Sequence, residues 1–274
     1  MTDEDTFVAR EREHWGSVAQ AFHEGLSGMT DSCMPPLLDA LGDLRGRRVL
    51  DVGCGPGHST AEAARRGGTL VGMDLAPQMV ALAAQLWPGI DFRVGNLEAL
   101  PFPDASFDAA FGSFVILHVP RPELAVQQLA RVLKSGGSLA LSTWDVDSRN
   151  RVLGMVFEAA DIVGIPVVAL PGAPARLRFA DDAEFEALLR DHGFENVRIQ
   201  RFEFAFEVPS AEALFTDITK ASMMAKALLA SGDTATLERL HRAYIGLAEH
   251  YARDDRVSVP CAAKIASGRK AARV

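Results

Sequence analysis

An apolar stretch, Val49-Leu50-Asp51-Val52, runs directly into Gly53-Cys54-Gly55-Pro56-Gly57-His58, and no other segment says as much about chemistry. Glycines let a backbone turn tightly and approach a ligand closely, and a helix after such a turn presents unpaired amides to a carboxylate or phosphate. A second apolar stretch, about twenty residues on, ends in Val71-Gly72-Met73-Asp74. An acidic side chain at that place can accept both ribose hydroxyls of an adenosine. A nicotinamide dinucleotide would use the same pair of devices. Its fingerprint, however, wants glycine or alanine where this chain has His58, and here the third glycine is Gly57.

Three downstream segments separate the alternatives: Val94-Gly95-Asn96-Leu97-Glu98-Ala99-Leu100-Pro101-Phe102, then Ser106-Phe107-Asp108, then Arg131-Val132-Leu133-Lys134-Ser135-Gly136-Gly137. With Asp51 and the glycine loop in front of them, they resemble the successive motifs of class I S-adenosylmethionine-dependent methyltransferases of the ubiquinone/menaquinone-biosynthesis-like type. The resemblance covers Trp15 to Trp144 and continues loosely through Gly193-Phe194-Glu195-Asn196-Val197 and Gly268-Arg269-Lys270. It implies S-adenosylmethionine as cofactor, held by Asp51, Gly53, Gly55, Gly57, Asp74, Leu75, Met79, Asn96, Leu97 and Ser113. It further implies that Phe22, in His14-Trp15-Gly16-Ser17-Val18-Ala19-Gln20-Ala21-Phe22, approaches the methionine end of the cofactor. Phe22 lacks the tyrosine hydroxyl usual in the family, and two further positions depart from its pattern. Asn96 stands where Asp is usual and can still accept from the adenine amine through its carbonyl oxygen, and Ser135 replaces a proline in a turn.

The same resemblance places Phe114-Val115-Ile116-Leu117-His118-Val119 beside the transferring methyl group, which makes His118 the candidate catalytic residue. Histidine can take a proton from a hydroxyl nucleophile near neutral pH. Each assignment has a plainer alternative: Asp74 as a helix cap, Asp51 as a residue that orders the loop, Met79 and Phe22 as core, His118 as a loop anchor. Trp144 and Asp145 either line the pocket or make a turn. His23, His192 and His241 show no metal-binding spacing, so no metal site is expected.

These residues need a scaffold that brings strand ends together. Strand-like stretches occur at Arg48–Gly53, Thr69–Asp74, Ile90–Gly95, Phe107–Ser113, Ser138–Trp144, Asn196–Glu207 and Pro260–Ser267, and the first five alternate with amphipathic segments such as Ala61–Arg66, Pro77–Trp87 and Glu123–Leu133. That alternation predicts an α/β fold with a Rossmann-like, seven-stranded, mostly parallel sheet flanked by helices, with ligands at the carboxyl ends of the strands. A single domain over 1–274 is expected, with its cofactor core at 45–145. Helical segments 5–44 and 210–254, the second inserted between the sixth and seventh strands, are expected to roof the site. Phe215, Met223, Met224, Leu228 and Leu229 give the insertion the apolar surface of a pocket wall.

Composition narrows the partners. The chain has 274 residues, 48% of them hydrophobic, and a net charge of −8, so no broad field draws in nucleic acid or anionic lipid. Lys264, Arg269, Lys270 and Arg273 form the one basic cluster that argues otherwise. The acidic start Met1–Thr6 and the interruption of the most apolar stretch by Glu158, Asp161 and Pro166 predict neither a signal peptide nor a membrane span. Three scattered cysteines fit a reducing, cytoplasmic setting. The expected activity is methyl transfer to an O, N or C nucleophile of a small metabolite by a monomer or homodimer. A cofactor-binding protein with a non-methylating role and an NAD(P)-dependent oxidoreductase are the alternatives.

Overall fold

The computed structural model describes residues 2–167, 169–230 and 232–272. Parallel strands β1 (Arg48–Val52), β2 (Thr69–Asp74), β3 (Asp91–Val94), β4 (Phe107–Gly112) and β5 (Leu133–Trp144) form most of one sheet. β6 (Phe194–Val208), the two-residue β7 (Ala252–Arg253) and β8 (Arg256–Lys270) complete it. The order is β3-β2-β1-β4-β5-β8-β6, with β8 antiparallel to both neighbours and β7 folded back on its start. All seven expected strands are present. The addition, β7, arises because Asp254 takes a left-handed backbone (φ 51°) and returns the chain at once into β8. β5 begins earlier than the apolar pattern suggested, since Leu133 pairs with Phe107 before the register shifts.

Side chains alternate across the strands, as the pleat requires. Val49, Ala109 and Phe111 face one side, and Leu50 and Ala110 face the other. Both sides are covered, which explains the nearly unbroken apolar runs of β1 and β4. Before β1 lie α1 (Asp3–Glu24), α2 (Ser27–Asp31) and α3 (Met34–Asp39); within the parallel region lie α4 (His58–Arg65), α5 (Pro77–Leu86) and α6 (Pro122–Val132). Then come α7 (Arg151–Val163), α8 (Asp182–Arg190) and the inserted α9 (Ala211–Ala221), α10 (Met223–Ala230) and α11 (Thr234–Glu249). Leu37 and Leu38 of α3 and Ala63 of α4 cover the first side, while Leu129 of α6 and Phe185 of α8 cover the second.

α2, α7, α9, α10 and α11 pack around Val152, Leu214 and Tyr244 into a cluster of their own against the ends of β6 and β8. α1 leans on α5 through Ala19, Ala76 and Met79. Its His14 Nε2 also lies 2.8 Å from the Ala221 carbonyl, and burial lowers the pKa of that imidazole. Among the described residues, no helix is long and apolar enough to cross a membrane.

Candidate functional site

The chain order reverses between β1 and β4, the place where an open α/β sheet splits at its carboxyl edge to receive a ligand. A cavity of about 330 Å³ lies there, running from the end of β2 past β1 and β4 to the end of β5, with α1 and α2 among its walls.

The three glycines after β1 do three different things. A Cβ on Gly53 (φ 67°) would stand 2.5 Å from Val115, so this glycine lets the loop pack on the turn after β4. A Cβ on Gly57 (φ 83°) would meet Phe92 and Trp87 at 2.8 and 2.9 Å, so this one seats the start of α4 beneath α5 and β3. Gly55 (φ 51°) borders the cavity and has no atom within 4 Å of where a Cβ would be. Gly55 is therefore the open cradle.

Gly57 does not border the cavity, and neither does Asp51, whose contacts are those of a residue that orders the loop. The fully buried Asp51 carboxylate accepts from Ser59 Oγ at 2.8 Å and Thr60 Oγ1 at 2.7 Å through Oδ2, tying β1 to the first turn of α4, while Oδ1 has no partner. Burial pushes its carboxyl up to about 7.

Asp74 accepts the Gly55 amide through Oδ2 and the Ala76 amide through Oδ1, each at 2.9 Å. It fixes the glycine loop against the end of β2 while bordering the cavity. Burial raises its pKa, and its backbone hydrogen bonds oppose that shift. The N-cap position of α5 falls on Ala76, so Asp74 is not the helix cap that Pro77 had suggested. Leu75, Met79, Asn96, Leu97, Ser113 and Phe22 all border the same cavity. Asn96 Oδ1 already accepts the Glu98 amide at 2.9 Å, which orders the turn and leaves one lone pair and the amide N–H groups. Phe22 meets Trp15 edge to face at 5.3 Å.

After β4, Phe114 holds a left-handed backbone (φ 55°), donates its N–H to Ser142 Oγ at 2.9 Å and stacks on Trp144 at 3.8 Å. The turn that follows delivers His118 to the cavity. Its Nδ1 lies 3.1 Å from Oε2 of Glu11 on α1, and Glu11 is 2% exposed. Sequence reasoning missed Glu11. The available signal was an acid four residues before Trp15 on a helix, at a spacing that places the two side chains together.

It also missed a second linkage, because His58 read only as a break in a fingerprint and His23 as isolated. His58 Nδ1 lies 2.6 Å from Asp31 Oδ2, and its Nε2 lies 3.0 Å from His23 Nδ1, so the start of α4 is joined to α1 and α2. Asp145 and Trp144 both border the cavity. Asp145 pairs with Arg201 Nε at 2.6 Å and Lys264 Nζ at 3.6 Å. Burial works to raise its pKa, yet these partners hold it below the usual carboxylate range.

The insertion contributes less of the roof than expected. Ala221, Ser222, Met223 and Met224 border the cavity. Phe215, Leu228 and Leu229 instead pack with Tyr244 and α7, since α9 and α11 bury their apolar faces on one another and on α7. Leu153 and Phe157 of α7 and the stretch from Leu170 to Leu177 supply wall that was not anticipated. The basic cluster is no open patch either: Lys264 is 3% exposed and paired with Asp145 and Asp182, while Arg269 and Lys270 donate to the carbonyls of Gly136 and Leu133. Arg273 lies outside the described residues.

Residues 50–141 match the methyltransferase domain family. Residues 50–141 thus carry a methyltransferase domain of the class I S-adenosylmethionine-dependent type. It is 31% identical over 221 residues to the biotin biosynthesis bifunctional protein BioHC of Cellvibrio japonicus, across 69% of this chain and 44% of that protein. It is 40% identical over 106 residues to the demethylmenaquinone methyltransferase of Renibacterium salmoninarum, across 39% of this chain and 45% of that one. The phosphoethanolamine N-methyltransferase 2 of Haemonchus contortus, solved with S-adenosyl-L-methionine, shares the fold at TM-score 0.54 and 18% identity, across 88% of this chain and 53% of that one. The chain thus spans about half the length of these relatives. The cofactor of this methyltransferase domain is S-adenosylmethionine. The site accommodates it: the space above Gly55, the carboxylate of Asp74 and the aromatic faces of Phe22 and Trp15 are groups that suit an amino acid, a ribose and a sulfonium.

Proposed function

We propose that this methyltransferase domain methylates an O, N or C nucleophile of a small, uncharged or weakly charged organic metabolite. One observation carries the reading. A single continuous cavity reaches from Asp74 and Gly55 to Trp144, so it offers a cofactor end over β2 and β1 and an acceptor end over β4 and β5. Neighbouring strands lie about 4.8 Å apart, so the two ends are roughly two to three strand spacings from one another. Residues 45–145 hold the cofactor, and 5–44 with the Met223 corner of 210–254 close the roof.

When bound, S-adenosylmethionine supplies a methyl group already activated by its sulfonium. In this reading Asp74 holds the ribose, Asn96 and Leu97 meet the adenine, Leu75 and Met79 flank it, and Gly53, Gly55 and Ser113 border the methionine end. The protein then has to align the acceptor and exclude water, and α1, with Trp15 and Phe22, does the excluding. His118 is placed to hold or accept a proton from the acceptor, with Glu11 fixing the ring. Asp145 and Asp147 also border the cavity, and Arg176, the one arginine among the described residues that line it, is held bidentately by Asp147 at 2.6 and 2.8 Å, which disfavours a strongly anionic acceptor.

The test is a mass-spectrometric screen for S-adenosylhomocysteine. The protein is incubated with S-adenosylmethionine and pools of neutral, cationic and anionic small molecules, with bulk tRNA in parallel. Turnover with a neutral or amine pool is expected; robust, salt-sensitive methylation of tRNA overturns the small-molecule reading, and cofactor binding without turnover of any pool favours a non-methylating role.

A further inference from the structure

The carboxylates that border the cavity are nearly all engaged. Asp145 and Asp147 pair with Arg201 and Arg176, Glu98 pairs with Arg121, Asp74 accepts two backbone amides, and Glu11 serves Trp15 and His118. Asp31, the last residue of α2, is the exception. Its Oδ2 accepts the Nδ1–H of His58 at 2.6 Å, and among the described residues nothing donates to its Oδ1. The side chain is 31% exposed, and Oδ1 is not sealed from solvent.

Among the described residues, no lysine or arginine pairs with Asp31. His58 Nε2 lies 3.0 Å from His23 Nδ1, and two neutral rings satisfy the whole chain: His23 Nδ1–H donates to His58 Nε2, and His58 Nδ1–H donates to Asp31. The neutral chain leaves the carboxylate with its charge intact and one oxygen free. His58 opens α4 directly after Gly55-Pro56-Gly57, so the chain holds that oxygen near the glycine loop. The amides that start α4 suit a carboxylate, whereas Asp31 beside them suits a cationic donor. An α-amino acid carries both groups on one carbon.

We infer that Asp31 binds the α-ammonium of the cofactor's amino acid, with His58 and His23 fixing the position of its carboxylate. This rests on the reading above, in which the methionine end of S-adenosylmethionine lies along Gly53 and Gly55.

Calorimetry on the full chain tests it with two ligands, S-adenosylhomocysteine and the analogue in which a hydroxyl replaces the α-ammonium. Wild type is expected to bind S-adenosylhomocysteine about tenfold or more tightly than the analogue, the usual worth of a hydrogen bond between charged groups. Asp31→Asn still offers His58 an acceptor but carries no charge. It is expected to lose about tenfold in affinity for S-adenosylhomocysteine and little for the analogue, so the preference collapses. Asp31→Ser is a second neutral variant with the same expectation, and Asp31→Glu, which keeps the charge, is expected to keep the preference. A wild type indifferent to the exchange, or folded neutral variants that retain the preference or weaken both ligands equally, overturns the inference. Tighter binding of S-adenosylhomocysteine by the neutral variants also overturns it, because the ligand's carboxylate would then be the group beside Asp31. Failure of the wild type to bind S-adenosylhomocysteine at all would instead strike the cofactor reading.

Discussion

Glu11 Oε2 stands 3.1 Å from His118 Nδ1 and also accepts the Trp15 indole N–H at 2.7 Å, so one buried oxygen joins the N-terminal helix to the turn after β4. The roof and the candidate catalytic residue are thereby one unit. His118 and Trp15 meet edge to face at 5.2 Å, which leaves the imidazole little freedom to swing away.

His118→Ala is expected to lower kcat by about 10²-fold while changing the cofactor Kd little, in line with the usual worth of positioned acid–base groups. Glu11→Gln keeps the shape and an acceptor for Trp15 but removes the charge, so a smaller fall in kcat is expected. Single-turnover rates set beside calorimetric cofactor affinities check both. Unaltered rates in His118→Ala would leave alignment as the whole of catalysis and make the histidine a loop anchor.

Asp74→Ala is expected to weaken S-adenosylmethionine binding by about 1.5 to 3 kcal/mol, the usual value of hydrogen bonds to a charged group. The variant also releases the Gly55 and Ala76 amides, so the loop loosens along with the ribose contact. Asp74→Asn retains an acceptor and should lie between the two. Calorimetry on folded protein decides the order, and an unchanged Kd in Asp74→Ala removes this residue from the binding site.

Gly55 can be tested without confusing strain with obstruction. Its φ of 51° is costly for most side chains but tolerable for asparagine. Gly55→Asn should therefore fold with a melting temperature close to wild type and fail to bind the cofactor, because its side chain fills the open space bordering the cavity. Normal affinity in that variant would reduce the loop to a turn.

The strands and the residues gathered at the β2 end of the cavity were legible because local patterns encode them. β1 and β4 are short apolar runs bounded by turn residues, and the glycine loop and Asp74 sit within a short stretch of chain whose geometry the strand ends dictate. What was not legible depends on contacts between distant segments. Glu11 acquires its meaning only when α1 crosses the turn after β4, and His23, Asp31 and His58 become a chain only when α1, α2 and α4 meet. Phe215, Leu228 and Leu229 read as pocket wall because apolar surface alone does not say which neighbour covers it. α7 and α11 cover them here.

Asp51 gives the fold a pH dependence with a definite sign. Burial raises its folded-state carboxyl to about 7, whereas an unfolded aspartate titrates near 3.8. Between those values the folded state holds a proton that the unfolded state has lost. Stability from this group is therefore fully present below about pH 4, declines as pH rises toward 7 and is lost above it. The effect is on the order of a few kcal/mol at 1.36 kcal/mol per unit. Asp51→Asn removes the titration while its Oδ1 can still accept from Ser59 and Thr60. Melting temperatures measured from pH 5 to 8 should fall for wild type and change less for the variant, which should be the more stable at pH 8. Parallel curves for the two proteins would show that Asp51 stays ionised within the fold and that its unpartnered Oδ1 finds a donor in solution.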